Sequence, residues 1–107
     1  QQQINIVPQN DAKYDCEIVF EVLPMDDSTN WDNVKNYILN NQKKGMKVIP
    51  NSLQLVPVAF GIQKLRVTVH MTNDVACDDF EQLFKTAEME QQVMNVTICA
   101  FNKLRKN

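Results

Sequence analysis

The stretch that decides the fold of this chain is KLRVTVHM, residues 64–71. Apolar side chains occupy every second position in it, and these are Leu65, Val67, Val69 and Met71. Alternation of period two, with β-branched residues among the apolar ones, predicts a strand with one buried face and one open face. The rest of the chain can be interpreted outward from this strand.

Three further segments have the pattern of strands. Asp15 to Pro24 alternates in the same way, and its apolar row is Cys16, Ile18, Phe20 and Val22. Leu53 to Phe60 contains Pro57, which cannot donate to a ladder, so this strand is expected at an edge of the sheet before Gly61 turns the chain. Val93 to Phe101 is the last strand, and its apolar row is predicted to be Met94, Val96, Ile98 and Ala100.

Two amphipathic helices are predicted between these strands. The first carries Trp31, Val34 and Ile38 at helical spacing, with Ser28 or Thr29 as its N-cap. We expect its last turn to contain Lys43 and Lys44 and to stop at Gly45. The second helix begins among acidic residues, and its apolar stripe comprises Phe80, Leu83, Phe84 and Ala87.

The order strand-helix-strand-strand-helix-strand predicts an α+β fold, a ferredoxin-like split βαβ sandwich. Its four-stranded antiparallel sheet would carry both helices on one face, with the first and third strands as central neighbours. On the other face, Glu17 and Glu21 of the first strand would lie opposite Lys64 and Arg66 of the third. Cross-strand ion pairs and a merely solvated charged face are both compatible with this placement.

A chain of 107 residues has room for one domain. We expect a flexible N-terminal linker or tail over residues 1–13, a folded domain over 14–104 and a C-terminal extension over 105–107. Since residue 1 is not Met, the sequence is expected to be part of a longer protein. No apolar run approaches the length of a transmembrane helix.

Composition excludes several classes of function. A net charge of −2 argues against nucleic acid as the main partner, and two glycines are too few for a glycine-rich phosphate loop. Three widely spaced cysteines predict neither a disulfide framework nor a zinc site, and favour a reducing, cytoplasmic location. His70 has no recognisable catalytic partners, so we expect no metal, no cofactor and no covalent chemistry.

Two features remain without a structural role. Phe60 stands at the predicted hairpin tip, where it could anchor in another protein or fold back onto the core. The basic end Lys103-Leu104-Arg105-Lys106 follows the last strand, where it could act on a partner or serve as a solubilising tail. RNA binding through the sheet is disfavoured, because the predicted third strand places no aromatic side chain on the open face.

The segments PMDDSTN (residues 24–30), LVPVAFGIQKL (55–65) and CAFNKL (99–104) carry a family resemblance. Together they resemble the C-terminal guanine-nucleotide-exchange domain of eukaryotic elongation factors 1-beta and 1-delta, over about residues 14–104. The resemblance implies the split βαβ sandwich and release of GDP from the GTPase elongation factor 1-alpha. It also implies an upstream region that binds elongation factor 1-gamma. Met25 and Ala59 depart from the Trp and Gly usual in the family.

The resemblance also implies site residues. Phe60, followed by Gly61, would dock on the second domain of the GTPase. Lys103, flanked by Phe101 and Leu104, would reach the magnesium and phosphate region of its G domain, and we expect Phe60 and Lys103 at opposite ends of the domain. A regulatory or interaction module of the same fold without exchange activity is the alternative.

Overall fold

The computed structural model describes residues 14–104, so the linker expected over 1–13 and the extension expected over 105–107 lie outside the described residues. Within that range the strands are β1 (Cys16–Pro24), β2 (Met46–Val48), β3 (Gln54–Ala59), β4 (Ile62–Met71) and β5 (Val93–Lys103). The helices are α1 (Trp31–Asn40), α2 (Cys77–Gln82) and α3 (Ala87–Glu90), with a 3₁₀ turn at Pro50–Ser52.

The strands form one antiparallel sheet in the order β2-β4-β1-β5, and β3 pairs with the same edge of β4 as β2 does. The predicted α+β class and the central pairing of the first strand with KLRVTVHM are therefore confirmed. The sheet differs from the expectation in having five strands instead of four. Pro57 lies in β3, which pairs with β4 alone among the described strands.

The extra strand arises because the edge beside β4 is split in two. β2 covers the Val69–Met71 end of β4, β3 covers the Ile62–Arg66 end, and the Pro50–Ser52 turn interrupts them. Thr68 lies opposite the gap, yet its backbone groups are satisfied. Its carbonyl accepts from the Ile49 N–H at 3.0 Å, and its N–H donates to Ser52 Oγ at 2.9 Å. A single serine hydroxyl thus replaces one ladder bond, as buried backbone groups require.

The core lies between one face of the sheet and the helices. The predicted apolar rows of β1 and β4 are buried, and they share one cluster with Val34 and Ile38 of α1, Phe80 of α2 and Met89 of α3. At its centre the rings of Phe20 and Phe80 stack with centroids 4.2 Å apart. The helices therefore pack on one face, as expected for this fold.

The helix ends differ from those predicted. Asn30 is the N-cap of α1, with its side chain accepting from the Asn33 N–H at 3.1 Å, whereas Thr29 Oγ1 donates to the Gln92 carbonyl. The helix ends at Asn40, so Lys43 and Lys44 belong to the turn before β2. Gly45 has a φ of +87° in that turn, where glycine is favoured.

The single second helix that we predicted is also wrong. It is two short helices, α2 and α3, because Thr86 begins a new helix by accepting from the Met89 N–H. Threonine at this position favours a cap over helix continuation. Neither α2, α3 nor any other helix within residues 14–104 has the length and hydropathy of a membrane-spanning segment.

The predicted apolar row of β5 is wrong in part, because two irregularities interrupt its pairing with β1. They lie opposite Val19/Phe20 and opposite Leu23/Pro24, and they leave Cys99 and Met94 without a partner in the register. An extra residue in one strand shifts the alternation that follows it. Ala100 therefore pairs with Val19 on the open face, and Phe101 pairs with Ile18 on the helix side.

The open face carries the charges that were predicted for it. The Glu21 carboxylate accepts from Lys64 Nζ at 2.9 Å and from Arg66 Nη2 at 2.8 Å, so specific ion pairs are present. Hydrogen bonds from Lys64 and Arg66 hold the pKa of Glu21 below its usual value. His70 faces Glu17 at 3.1 Å but is buried, with the Tyr14 ring packed 6.2 Å away.

We predict that Phe20→Ala lowers the free energy of unfolding by about 3–5 kcal/mol, because it removes a fully buried ring and leaves a cavity beside Phe80. Urea denaturation followed by circular dichroism measures the effect. A loss below about 1 kcal/mol would mean that the stacked pair is not central to the core.

We also predict that Glu21→Gln lowers the free energy of unfolding at pH 7 by about 1–2 kcal/mol, because two charge-assisted hydrogen bonds are weakened. A carboxylate whose pKa is depressed by folding stabilises the fold above its unfolded pKa of about 4.3, and this stabilisation disappears as the pH falls through the folded value. The difference between parent and variant should therefore shrink on acidification. A difference that stays constant with pH would contradict this origin.

Candidate functional site

The two features left over from the sequence lie at opposite ends of the sheet. Lys103 pairs with Cys16 of β1, and Cys16 pairs on its other side with Met71 of β4. Phe60 lies beyond Ile62, at the other end of β4. The nine steps from Met71 to Ile62 span roughly 30 Å at strand geometry. The prediction that Phe60 and Lys103 lie at opposite ends of the domain is therefore confirmed.

Phe60 is held out into solvent by a strained turn. Ala59 pairs with Ile62, so Phe60 and Gly61 form a two-residue hairpin loop. Both have positive φ, +53° and +78°, the pattern of a type I′ turn. Gly61 adopts this conformation at little cost, but for a side chain such as Phe it costs roughly 1–2 kcal/mol. The ring is 99% exposed, so the alternative that it folds back onto the core is wrong.

The hairpin around Phe60 is an apolar projection. The last pair between β4 and β1 is Leu65 with Val22, so the residues from Pro57 to Gln63 extend past the part of β4 that pairs with β1. The segment Leu55–Ile62 contains no charged or hydrogen-bonding side chain, and Val58 within it is 56% exposed. Ala59, which departs from the Gly usual in the resembled family, flanks the loop without positive φ. An exposed apolar tip of this kind is typical of a protein-binding element.

Lys103 is the last residue of β5 and is exposed. The chain after it is still held, since the Leu104 N–H donates to the Asp15 carbonyl at 2.9 Å. Asp15 in turn donates its own N–H to the Met71 carbonyl at 2.8 Å. Within residues 14–104 no carboxylate forms an ion pair with Lys103, in contrast to Lys64. The ammonium group is thus presented at the end of an anchored strand with its charge unneutralised by this part of the chain.

The surroundings of Lys103 on β5 are apolar. Phe101 lies on the same side of the strand, the side that faces the helices further along, and it is 55% exposed. Ile98 lies on that side as well and is 49% exposed. Ile98 was assigned to the buried row from the sequence, and its exposure was missed. One signal in the sequence could have indicated this exposure: Ile98 lies in the last strand of the chain, and such a strand often forms an edge of the sheet.

The described residues also include cysteine thiols and two grooves. No group of three His, Cys, Asp or Glu side chains between Tyr14 and Leu104 is arranged to hold a metal ion. Burial raises the pKa of the Cys16 and Cys77 thiols, which keeps both sulfurs protonated at neutral pH. Two grooves have volumes of about 300 and 370 Å³, the first beside Met25 and Val93 and the second beside Tyr14 and Gly45. Neither groove is lined by Phe60 or Lys103.

Comparison with known proteins identifies relatives along nearly the whole described range. The sequence model of the EF-1 guanine nucleotide exchange domain matches residues 17–104. The chain is 34% identical over 88 residues to the 25 kDa elongation factor 1-beta of Trypanosoma cruzi, which covers 81% of this chain and 38% of that protein. These matches confirm the resemblance carried by the LVPVAFGIQKL and CAFNKL segments.

Other relatives give the same result. Elongation factor 1-delta of Bos taurus is 33% identical over 88 residues, which is 81% of this chain and 30% of that protein. Elongation factor 1-beta of Artemia salina is 30% identical over 88 residues, again 81% of this chain and 41% of that protein. The chain therefore spans between 30% and 41% of the length of these three relatives.

We predict that Phe60→Asn raises the free energy of unfolding by about 0.5–1 kcal/mol, because Asn tolerates positive φ and the lost ring makes no buried contact. Denaturation in urea compares the two proteins. Phe60→Val is the matched control, since a β-branched residue is worse than Phe in this conformation and should destabilise. A lower stability for Phe60→Asn would show that the ring supports the fold.

Proposed function

This chain belongs to the family of EF-1 guanine nucleotide exchange domains, and on that premise we propose that it stimulates GDP release from elongation factor 1-alpha in translation elongation. The observation that carries the proposal is the placement of an exposed aromatic ring and of a lysine without an ion-pair partner among residues 14–104 at opposite ends of one sheet. Such a domain can bridge two domains of a single partner.

Phe60 supplies affinity in this proposal. Its ring loses no contact within this domain when it enters a pocket on the second domain of the GTPase, because almost all of its surface already faces solvent. Burial of such a ring contributes about 1.5–3 kcal/mol. The turn holds the ring outward before binding, so little conformational entropy is lost on docking.

Lys103 supplies the exchange step. Its ammonium group would approach the magnesium and phosphate region of the G domain. Two unit charges 4 Å apart repel by about 4 kcal/mol at an effective dielectric constant of 20, and a divalent cation doubles this. Displacement of the magnesium ion removes the main counter-charge of the phosphates, so GDP dissociates faster. This domain forms no bond with the nucleotide, and its role is that of an exchange factor without covalent chemistry.

Linkage makes the cycle turn over. If this domain lowers the affinity of the GTPase for nucleotide by some factor, nucleotide lowers the affinity of the GTPase for this domain by the same factor. GTP binding would therefore eject the domain and free it for another GTPase. The anchored end of β5 suits this role, because the Leu104–Asp15 hydrogen bond limits where Lys103 can reach.

The setting is proposed on the same basis. The relatives are translation elongation factors, and the three free cysteines suit the reducing cytoplasm. Elongation factor 1-alpha is the proposed direct partner. Elongation factor 1-gamma would be bound by an upstream region of the whole protein, as the family resemblance implies. We expect no membrane and no nucleic acid to be bound by this domain.

Lys103→Ala should slow catalysed GDP release about tenfold or more, equivalent to roughly 1.4 kcal/mol or more on the barrier to release. The measurement is stopped-flow release of a fluorescent GDP analogue from purified elongation factor 1-alpha. Lys85→Ala is the matched control, because Lys85 is also exposed but lies near the Pro24 end of β1, away from Lys103. Equal rates for Lys103→Ala and the parent would overturn the role of the lysine.

Phe60→Asn separates binding from exchange in the same assay. It should raise the concentration that gives half-maximal exchange about tenfold while the rate at saturation is retained. If the parent itself neither binds elongation factor 1-alpha nor accelerates GDP release, the domain is a regulatory module of the same fold and the proposed function is wrong.

A further inference from the structure

The helix side of β5 changes character along its length. Val93 and Val96 are buried, whereas Ile98 and Phe101 on the same side are 49% and 55% exposed. Their partners on β1, Phe20 and Ile18, are 0% and 1% exposed. The helix side of β1 is therefore buried along its length, whereas the same side of β5 is open in its second half.

The β-bulge at Cys99 creates this exposed surface. Ile98 and Phe101 are three residues apart, and in a regular strand they would point to opposite faces. Because Cys99 has no partner in the register, Phe101 returns to the side of Ile98, and Lys103 follows two residues later. Bulges commonly re-aim a side chain in this way. We call Ile98, Phe101 and Lys103 the β5 strip.

The β5 strip is accessible to a partner. No strand within residues 14–104 pairs with the outer edge of β5, which is eleven residues long. A long edge strand with large exposed apolar side chains is normally avoided, because it invites association. The strip runs roughly 17 Å from Ile98 to Lys103. Its apolar part leads directly to the ammonium group.

We propose that the β5 strip is the seat of the G domain of elongation factor 1-alpha, with Ile98 and Phe101 packing on an apolar surface that borders the magnesium site. This inference rests on the proposed function and extends it. A partner that places its metal site at Lys103 from the helix side meets Phe101 and then Ile98 if it extends along β5, since all three share that side. Ile98 is thereby assigned as a positioning residue for exchange.

The apolar seat also has an electrostatic consequence. The charge of an isolated ammonium group in water is screened by the solvent, whereas apolar contacts that exclude water lower the local dielectric constant. Packing of Phe101 beside Lys103 would therefore strengthen the repulsion between the ammonium group and the magnesium ion. The seat contributes affinity and direction, and the lysine contributes the displacement of the cation.

The test measures GDP release from elongation factor 1-alpha as a function of the concentration of this domain. Ile98→Thr keeps the β-branched shape suited to a strand but places a hydroxyl in the apolar seat. We expect it to raise the half-maximal concentration about tenfold, and we expect Phe101→Ala to raise it at least as much. Phe101→Ala should also lower the rate at saturation, because Lys103 is then less well shielded from water.

Met94→Ala is the matched control. Met94 is on the same strand and is 59% exposed, but it lies at the other end, next to the pairing of Pro24 with Val93. Its half-maximal concentration should equal that of the parent. Thermal unfolding of each variant shows that the fold is retained.

Three outcomes separate the possibilities. Normal exchange by Ile98→Thr and Phe101→Ala, with loss in Lys103→Ala, would overturn the β5 strip and leave the proposed function intact. Absence of exchange by the parent would instead overturn the proposed function. Sedimentation of the parent as a dimer, abolished by Ile98→Thr, would assign the strip to a second copy of this chain and overturn the inference.

Discussion

The pairing of β1 with a strand on each side is the constraint on which the rest of the structure depends. At one end Cys16 is paired with both Met71 and Lys103, and at the other Val22 is paired with Leu65 and Val96. Backbone hydrogen bonds on both edges of one strand leave little freedom for its neighbours to slide. The positions of the hairpin tip and of the end of β5 are therefore set relative to each other by the register of one strand.

The positive charges of Lys64 and Arg66 on the open face have ion-pair partners, whereas the charge of Lys103 at the end of β5 has none among the described residues. Lys64 and Arg66 both bind the Glu21 carboxylate, and these two ion pairs hold β4 to β1. Lys103 has no such partner among the described residues. The fold thus uses paired charges where strands must be joined and leaves an unpaired one where a partner is expected.

Both ends of the sheet carry features that weaken the isolated domain. Phe60 occupies a backbone conformation that favours glycine or asparagine, and Ile98 and Phe101 leave apolar surface in water. Strain and exposed apolar surface persist in folded proteins only when the surrounding structure tolerates them. In this domain the stacked Phe20–Phe80 core and the pairing of β1 on both edges stabilise the fold against these unfavourable features. Phe60 lies at one end of the sheet, and the exposed apolar surface of β5 runs from Ile98, opposite Phe20 in the middle of β1, towards Lys103 at the other end. This arrangement is consistent with a domain that bridges two surfaces.

Periodicity in the sequence determined the α+β class, the central strands and the apolar rows of β1 and β4, because alternation within a strand is a local property. It also determined that Phe60 stands beside a turn and that Lys103 follows the last strand. Three features depended on tertiary structure: the split edge bridged by Ser52, the division of the second helix at Thr86, and the reversal of Ala100 and Phe101 by the bulge at Cys99. Each depends on residues distant in the chain. Strand register, the choice between a helix cap and helix continuation, and the hydrogen bond to an unpaired backbone group are all decided only when the chain has folded.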